Sequence, residues 1–344
     1  MRDKQDINHS ENALNGVNSG GSGKNKSCMR HCKKLWWAYL LLLVVIIAIV
    51  VPVIILVAVP KIAQHKLDEA ELVVDGITLS NTKSNSYTMA INSTLKSDGK
   101  VKATIEGFEG VMYLEDLEPH TPFVTINFPE TKSVKEQTVN ISQPIQIQNM
   151  AAFTTFNTWF QANESLRVTV YGETHVKVSG LPKRYPVTFK NTVTLQALND
   201  FKGLNVTESE ISLTPDANGD NFKGKVTIPN HSVITLEIGN ASFRNLLNNN
   251  EIGTVYIDNL VLHPGDNNVN MRANISQAPV LTAIQAKPAC ENGVIPFGLN
   301  GKDVVNGGQR LSYFADALAA GTVLTDINVG AALKKIGLNL TCSS

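Results

Sequence analysis

Two hydrophobic patterns divide the chain. From Leu35 to Val59 the residues are apolar all round and carry no charge. After them the pattern changes to alternation with a period of two. In "LRVTVYGETHVKV", Leu166, Val168, Val170, Val176 and Val178 share one parity, while Arg167, Thr169, Tyr171, Glu173, His175 and Lys177 share the other. That alternation predicts a long strand with one buried and one solvated face. "VTFKNTVTL" repeats it with Val187, Phe189, Val193 and Leu195 inward. In "TVYIDNLVL", Val255 and Ile257 keep one phase and Leu260 and Leu262 the other, which predicts a bulge near Asp258–Asn259. "SDGK" at Ser97, "DANGDN" at Asp216 and "HPGDN" at His263 punctuate the strands as turns. Helical spacing is sparse. Met150, Phe153, Phe156, Trp159 and Phe160 mark one aromatic face; Leu311, Phe314 and Leu318 mark a second helix, and "VGAALKKIG" from Val329 a third.

The Leu35–Val59 run is long enough to span a bilayer. As a helix it covers roughly 37 Å against a hydrocarbon core of about 30 Å. It exceeds the h-region of a signal peptide, and no small-residue cleavage site follows it. Trp36, Trp37 and Tyr39 sit at one end, the level amphipathic rings favour, and Pro52 predicts a kink. Lys24, Lys26, Arg30, Lys33 and Lys34 precede the run with no acid among them, whereas Lys61 and Lys66 follow it with Asp68, Glu69, Glu71 and Asp75. This bias predicts a cytosolic N-terminus and a type II single-pass protein. The rest of the chain then lies in the secretory lumen, the vacuole or outside the cell, the last placing the span in the plasma membrane.

Eight Asn-x-Ser/Thr sequons follow the span and support that orientation: Asn92, Asn140, Asn163, Asn205, Asn230, Asn240, Asn274 and Asn339. The cysteines divide in the same way. Cys28 and Cys32 lie on the cytosolic flank, as S-palmitoylation candidates or as ordinary reduced thiols. Cys290 and Cys342 are left in the oxidising compartment, where a disulfide between them is expected.

Composition removes several function classes. Thirty basic and thirty acidic side chains leave no net charge, so no basic field recruits nucleic acid. Residues 1–34 are too polar to bury a core and are read as a disordered cytosolic tail. The expected organisation continues with a membrane helix at 35–59, a linker at 60–70, and two β-domains at 71–182 and 183–344, the second with a C-terminal helical segment. A weak internal repeat underlies the division: "YTMAINSTLKSDGKVKATIEGFEGVMYLED" from Tyr87 can be laid on "FKGKVTIPNHSVITLEIGNASFRNLLNN" from Phe222.

"VTIPNHSVITLEIGNASF" followed by "IGTVYIDNLVLHPGDNNVNM", together with "VSGLPKRYPVTFKNTVTLQALNDFKGL", resembles fungal membrane proteins grouped as a domain of unknown function. These in turn resemble late embryogenesis abundant type 2 domains, also called water-stress and hypersensitive-response domains. The resemblance spans roughly Leu72 to Ile275. The family's strand–Asn-Pro–strand signature stands here as Asn230-His231-Ser232, with His in place of Pro and a less rigid turn. The resemblance implies two tandem Ig-like β-sandwiches, an endomembrane or vacuolar setting and, for some relatives, a lipid-binding groove. It supplies no catalytic residue and no cofactor.

The residues themselves supply none either. The seven histidines have no ligand-spaced partners. "GGSGKN" at Gly20 fails as a phosphate loop, because Asn25 follows Lys24. Asp216, Asn218 and Asp220 mimic the start of a calcium loop, but Asn221 and Thr227 stand where Gly and Glu are needed, so they read as a turn. A non-enzymatic protein without cofactor or metal is expected. Two functions remain open. One is a lipid-handling module in which Met150, Phe153, Phe156, Trp159 and Phe160 line an apolar groove. The other is a glycosylated spacer or adaptor in which the same five residues are plain core.

Overall fold

A computed structural model describes residues 26–342, with side chains from Trp36 onward. The chain divides into two units, Met1–Ala58 and Val59–Ser344. In the first, helix α1 (Lys26–Val53) is followed by a π-helical turn at Ile54–Ala58. Pro52 removes one amide donor and crowds the carbonyl four residues back, and a widened turn just beyond is one way a helix absorbs that defect. The large apolar side chains between Trp36 and Val57 are mostly exposed, with no polar face among them. The helix is long and apolar enough to cross a membrane. Helix α1 already begins at Lys26, so residues 26–34 are helical and the expected disordered tail is corrected there. Residues 1–25 lie outside the described residues, as do the side chains of the palmitoylation candidates Cys28 and Cys32.

The second unit is mainly β, with two sheets and a few short helices. It opens with helix α2 (Val59–Asp68), which corrects the expected linker at 60–70. Strands β1 (Glu71–Ser80), β2 (Ser86–Lys96), β3 (Ala103–Ile105), β4 (Phe108–Leu114), β5 (Val124–Phe128), β6 (Thr131–Lys132) and β7 (Glu136–Gln146) lead to α3 (Met150–Ala162). Then come β8 (Ser165–Val178), β9 (Arg184–Gln196), β10 (Asn205–Ile211), β11 (Phe222–Asn230), β12 (Ile234–Leu247), β13 (Asn250–Leu262) and β14 (Gly265–Ile275). The chain closes with α4 (Gln277–Gln285), α5 (Ala289–Asn292), β15 (Val294–Asn306), β16 (Gln309–Arg310), α6 (Ser312–Ala319), β17 (Thr322–Asn328) and α7 (Val329–Lys335).

The first sheet runs β10-β11-β14-β13-β12-β1-β2-β7, with β15 also on β12 and both β16 and β17 on β15. The second runs β5-β4-β8-β3-β6, with β9 along the other side of β8. Strand β12 is the junction. Its Ile234–Leu236 pairs in parallel with the identical tripeptide Ile77–Leu79 of β1, and its Asn240–Leu246 pairs with β15. Gly239 lies between, at φ +90, where a Cβ would meet Val305 O and Asn306 Cβ at 2.8 Å each. Only glycine fits that backbone and that approach. The expected bulge stands opposite. Ile257 pairs with Ala241 and Leu260 with Gly239, so Asp258 and Asn259 face the single residue Asn240. Asn259 takes φ +50 and donates its N–H to Asn240 Oδ1 at 2.9 Å.

The expected boundary at 182/183 falls inside the turn of a hairpin. Strands β8 and β9 pair from Ser165↔Gln196 to Lys177↔Arg184, so their apolar parities meet on one face. The parallel β1–β12 pair and one continuous core join residues on both sides of the division. Residues 59–344 are therefore one unit rather than two sequential domains. Cys290 and Cys342 form the expected disulfide, with Cα atoms 5.2 Å apart.

Candidate functional site: an apolar slot under helix α2

The aromatic face of α3 is the first place to look for a groove, and it is filled. Phe153, Phe156 and Phe160 are buried, and Met150 and Trp159 are packed against the same core. Phe153 stacks on Tyr87 at 5.5 Å and meets Tyr313 of α6 at 5.0 Å; Phe156 stacks on Phe123 at 5.0 Å. Asn149 caps the helix by accepting the Ala152 N–H. The lipid-lining assignment of these five residues is corrected: packing from β2, the β5 approach and α6 uses the whole face.

An open apolar cavity lies elsewhere, beneath α2. In "VPKIAQHKLDEA", Val59, Ile62, Ala63, Lys66, Leu67 and Ala70 recur at helical spacing and line one side. Leu95 at the end of β2, Ala103 and Ile105 of β3, and Val176 and Val178 of β8 line the other. Ala63 and Leu67 also pack with Val176 and Val187, with Phe189 against the same cluster. The cavity is about 150 Å³. Apolar cavities near that size stay dry and accept a benzene-sized group.

Hydrogen bonds to the sheet hold the roof in place. Gln64 donates through Nε2 to Thr188 O at 2.7 Å and accepts the Thr188 N–H through Oε1 at 2.8 Å. One carboxamide thus satisfies a backbone donor and acceptor on β9, a strand that among the described residues pairs only with β8. At the rim, Lys66 pairs with Glu69 and with Asp98 at 2.9 Å. Donating hydrogen bonds to Glu69 and then to Asp98 raises the Lys66 pKa, and accepting from Lys66 lowers both carboxyls in return. All three groups are charged at neutral pH.

The sequence missed this slot because 60–70 reads as a polar linker when its charges are counted. The available signal was the recurrence of Val59, Ile62, Ala63 and Leu67 every three or four residues. Among the described residues, no group of three or more His, Cys, Asp or Glu side chains is placed to hold a metal ion. Asp216 Oδ1 accepts the N–H groups of Asn218 and Asp220, closing the turn read from the sequence.

The sequons separate by burial. Asn92, Asn140, Asn163, Asn205, Asn240, Asn274 and Asn339 are exposed. Asn230 is 2% exposed and corrects the expectation for that site. Its Nδ2 donates to Ile234 O at 2.8 Å, and its Oδ1 accepts from Ser232 N at 3.0 Å and Ser232 Oγ at 2.7 Å. A glycan on that nitrogen has no room in this fold.

A family model described as "Protein of unknown function (DUF3712)" matches residues 121–245. The match begins just before β5 and ends within β12, so it crosses the β8–β9 hairpin and takes strands from both sheets. No curated protein matches the chain. A solved structure titled "X-ray structure of Northeast Structural Genomics Consortium target SoR45" aligns over 38% of this chain and 84% of its own. The identity is 9% and the TM-score 0.20. The chain is thus similar, over its middle third, to a domain family of unknown function.

Proposed function

We propose that this is a non-enzymatic single-pass membrane protein whose β unit holds a lipid acyl segment in the slot beneath α2. The N-terminus is cytosolic and the β unit luminal, vacuolar or extracellular, following the basic flank before the apolar run. The observation that carries the lipid reading is chain position: Val59, the first residue after the apolar unit, itself lines the slot. A bilayer lipid beside the span then meets the slot at high effective concentration. The volume is below the roughly 300 Å³ of small-molecule sites, so the slot takes a stretch of chain rather than a whole lipid.

The full-length protein in nanodiscs containing a diazirine-acyl phospholipid tests this reading. Photocrosslinks are expected on α2 and on the Val176–Val178 end of β8, and a slot-filling Val178→Trp removes them while the melting transition persists. A folded protein without crosslinks at those segments would overturn it. The filled α3 face and the seven exposed sequons support a second reading, a glycosylated spacer, and that is the function left if the slot stays empty. Orientation is checked separately: endoglycosidase shifts the full-length band, and protease on sealed vesicles removes only the N-terminal tail.

A further inference from the structure

A second, polar cleft of about 410 Å³ adjoins the slot. Lys66 and Ser97 line both, and Glu69, Glu71, Lys96 and Asp98 complete the polar one. The junction of α2 with β1 supplies Glu69 and Glu71; the end of β2 supplies Lys96, Ser97 and Asp98. The apolar slot therefore opens beside a cup holding two ammonium groups and three carboxylates.

We infer that the two cavities together bind one zwitterionic phospholipid, its chain segment in the slot and its phosphate–ammonium headgroup in the cup. The inference rests on the acyl-chain reading of the slot and adds the headgroup class. Charge complementarity is the argument. Lys66 already pairs with Glu69 and Asp98, while Lys96 and Glu71, opposite each other across the β1–β2 pair, have no ion pair among the described residues. A phosphate can pair with Lys96 without displacing a carboxylate. An anionic lipid then leaves Glu71 unpaired beside a new negative charge, in a cup where three carboxylates already face two ammonium groups, and like charges at contact are unfavourable. A headgroup that also carries an ammonium pairs with Glu71, so every charge keeps a partner. A purely cationic amphiphile leaves Lys96 without one.

The test uses the full-length protein in nanodiscs made with diazirine-acyl phosphatidylcholine or with diazirine-acyl phosphatidylglycerol. Slot crosslinks from the choline lipid are expected to exceed those from the glycerol lipid by roughly tenfold, about 1.4 kcal/mol of discrimination. Asp98→Lys, which reverses one exposed charge of the cup, is expected to abolish or invert that preference. Equal crosslinking by the two lipids, or an Asp98→Lys variant that keeps the full preference, overturns the headgroup assignment and leaves the slot reading standing. Absence of slot crosslinks with either lipid overturns both.

Discussion

Single side chains in this fold substitute for backbone that is missing. Asn230 is the most buried case. Its carboxamide closes the β11–β12 turn, accepting from Ser232 and donating to Ile234. Asn230→Ala leaves a buried carbonyl and amide unpaired, so a loss of about 1–3 kcal/mol is expected, read by denaturant unfolding of the β unit. Glycopeptide mapping of the wild type is expected to find position 230 unmodified while exposed sequons such as Asn92 and Asn140 carry glycan. A glycan at Asn230 in folded protein contradicts the assignment. Gln64 and Gln143 act similarly at strand edges: Gln143 accepts the Asn127 N–H at 3.1 Å and donates to Asn127 O at 3.2 Å, tying β7 to β5. No periodicity announces such residues. They look like surface polar positions until the unpaired backbone beside them is known.

Among the elements, α3 and α2 exchange roles relative to what their sequences suggest. The α3 face was legible as an aromatic stripe, but a stripe does not say whether it faces a groove or a core. Tyr87, Phe123 and Tyr313, distant in sequence, settle it as core. Phe153→Ala is therefore expected to cost about 3–5 kcal/mol, seen as a lower melting transition, with slot crosslinking per folded molecule unchanged. Loss of crosslinking without loss of stability would show a ligand role for α3 after all. Strand parity was read correctly for β8 and β9 except at Thr169, which was placed on the solvated side and is fully buried; a half-buried strand otherwise writes its two faces into alternate positions. The phase change at Asp258–Asn259 was also legible, since a bulge shifts that alternation by one. Pairing partners were not legible, because alternation names a face and never a neighbour. The same ambiguity allowed a boundary at 182/183 that the β8–β9 hairpin crosses.

At the scale of the molecule, the β unit is tied together across long sequence distances. β1 depends on β12, and the disulfide closes a loop with a sequence separation of 52. By the chain-entropy relation that closure contributes about 4 kcal/mol. A chain ending at residue 182 loses β9 from one sheet and β12 from the other, and with them α6 from the aromatic core. It is expected to be protease-sensitive and to show no cooperative melting, whereas residues 59–344 resist digestion as one fragment. A stable, cooperatively melting 59–182 fragment would restore the two-domain division.

The β1–β12 pairing also has a consequence in time. Ile77 meets Ile234, so 157 residues must follow the first strand before its parallel neighbour exists. At about 5–20 residues per second, ribosomal synthesis leaves that flank of β1 uncovered for roughly 8–30 s. During that interval an apolar segment rich in Val, Ile and Leu waits with one row of amides and carbonyls unclaimed. That flank of β1 therefore stays open far longer than a hairpin takes to close.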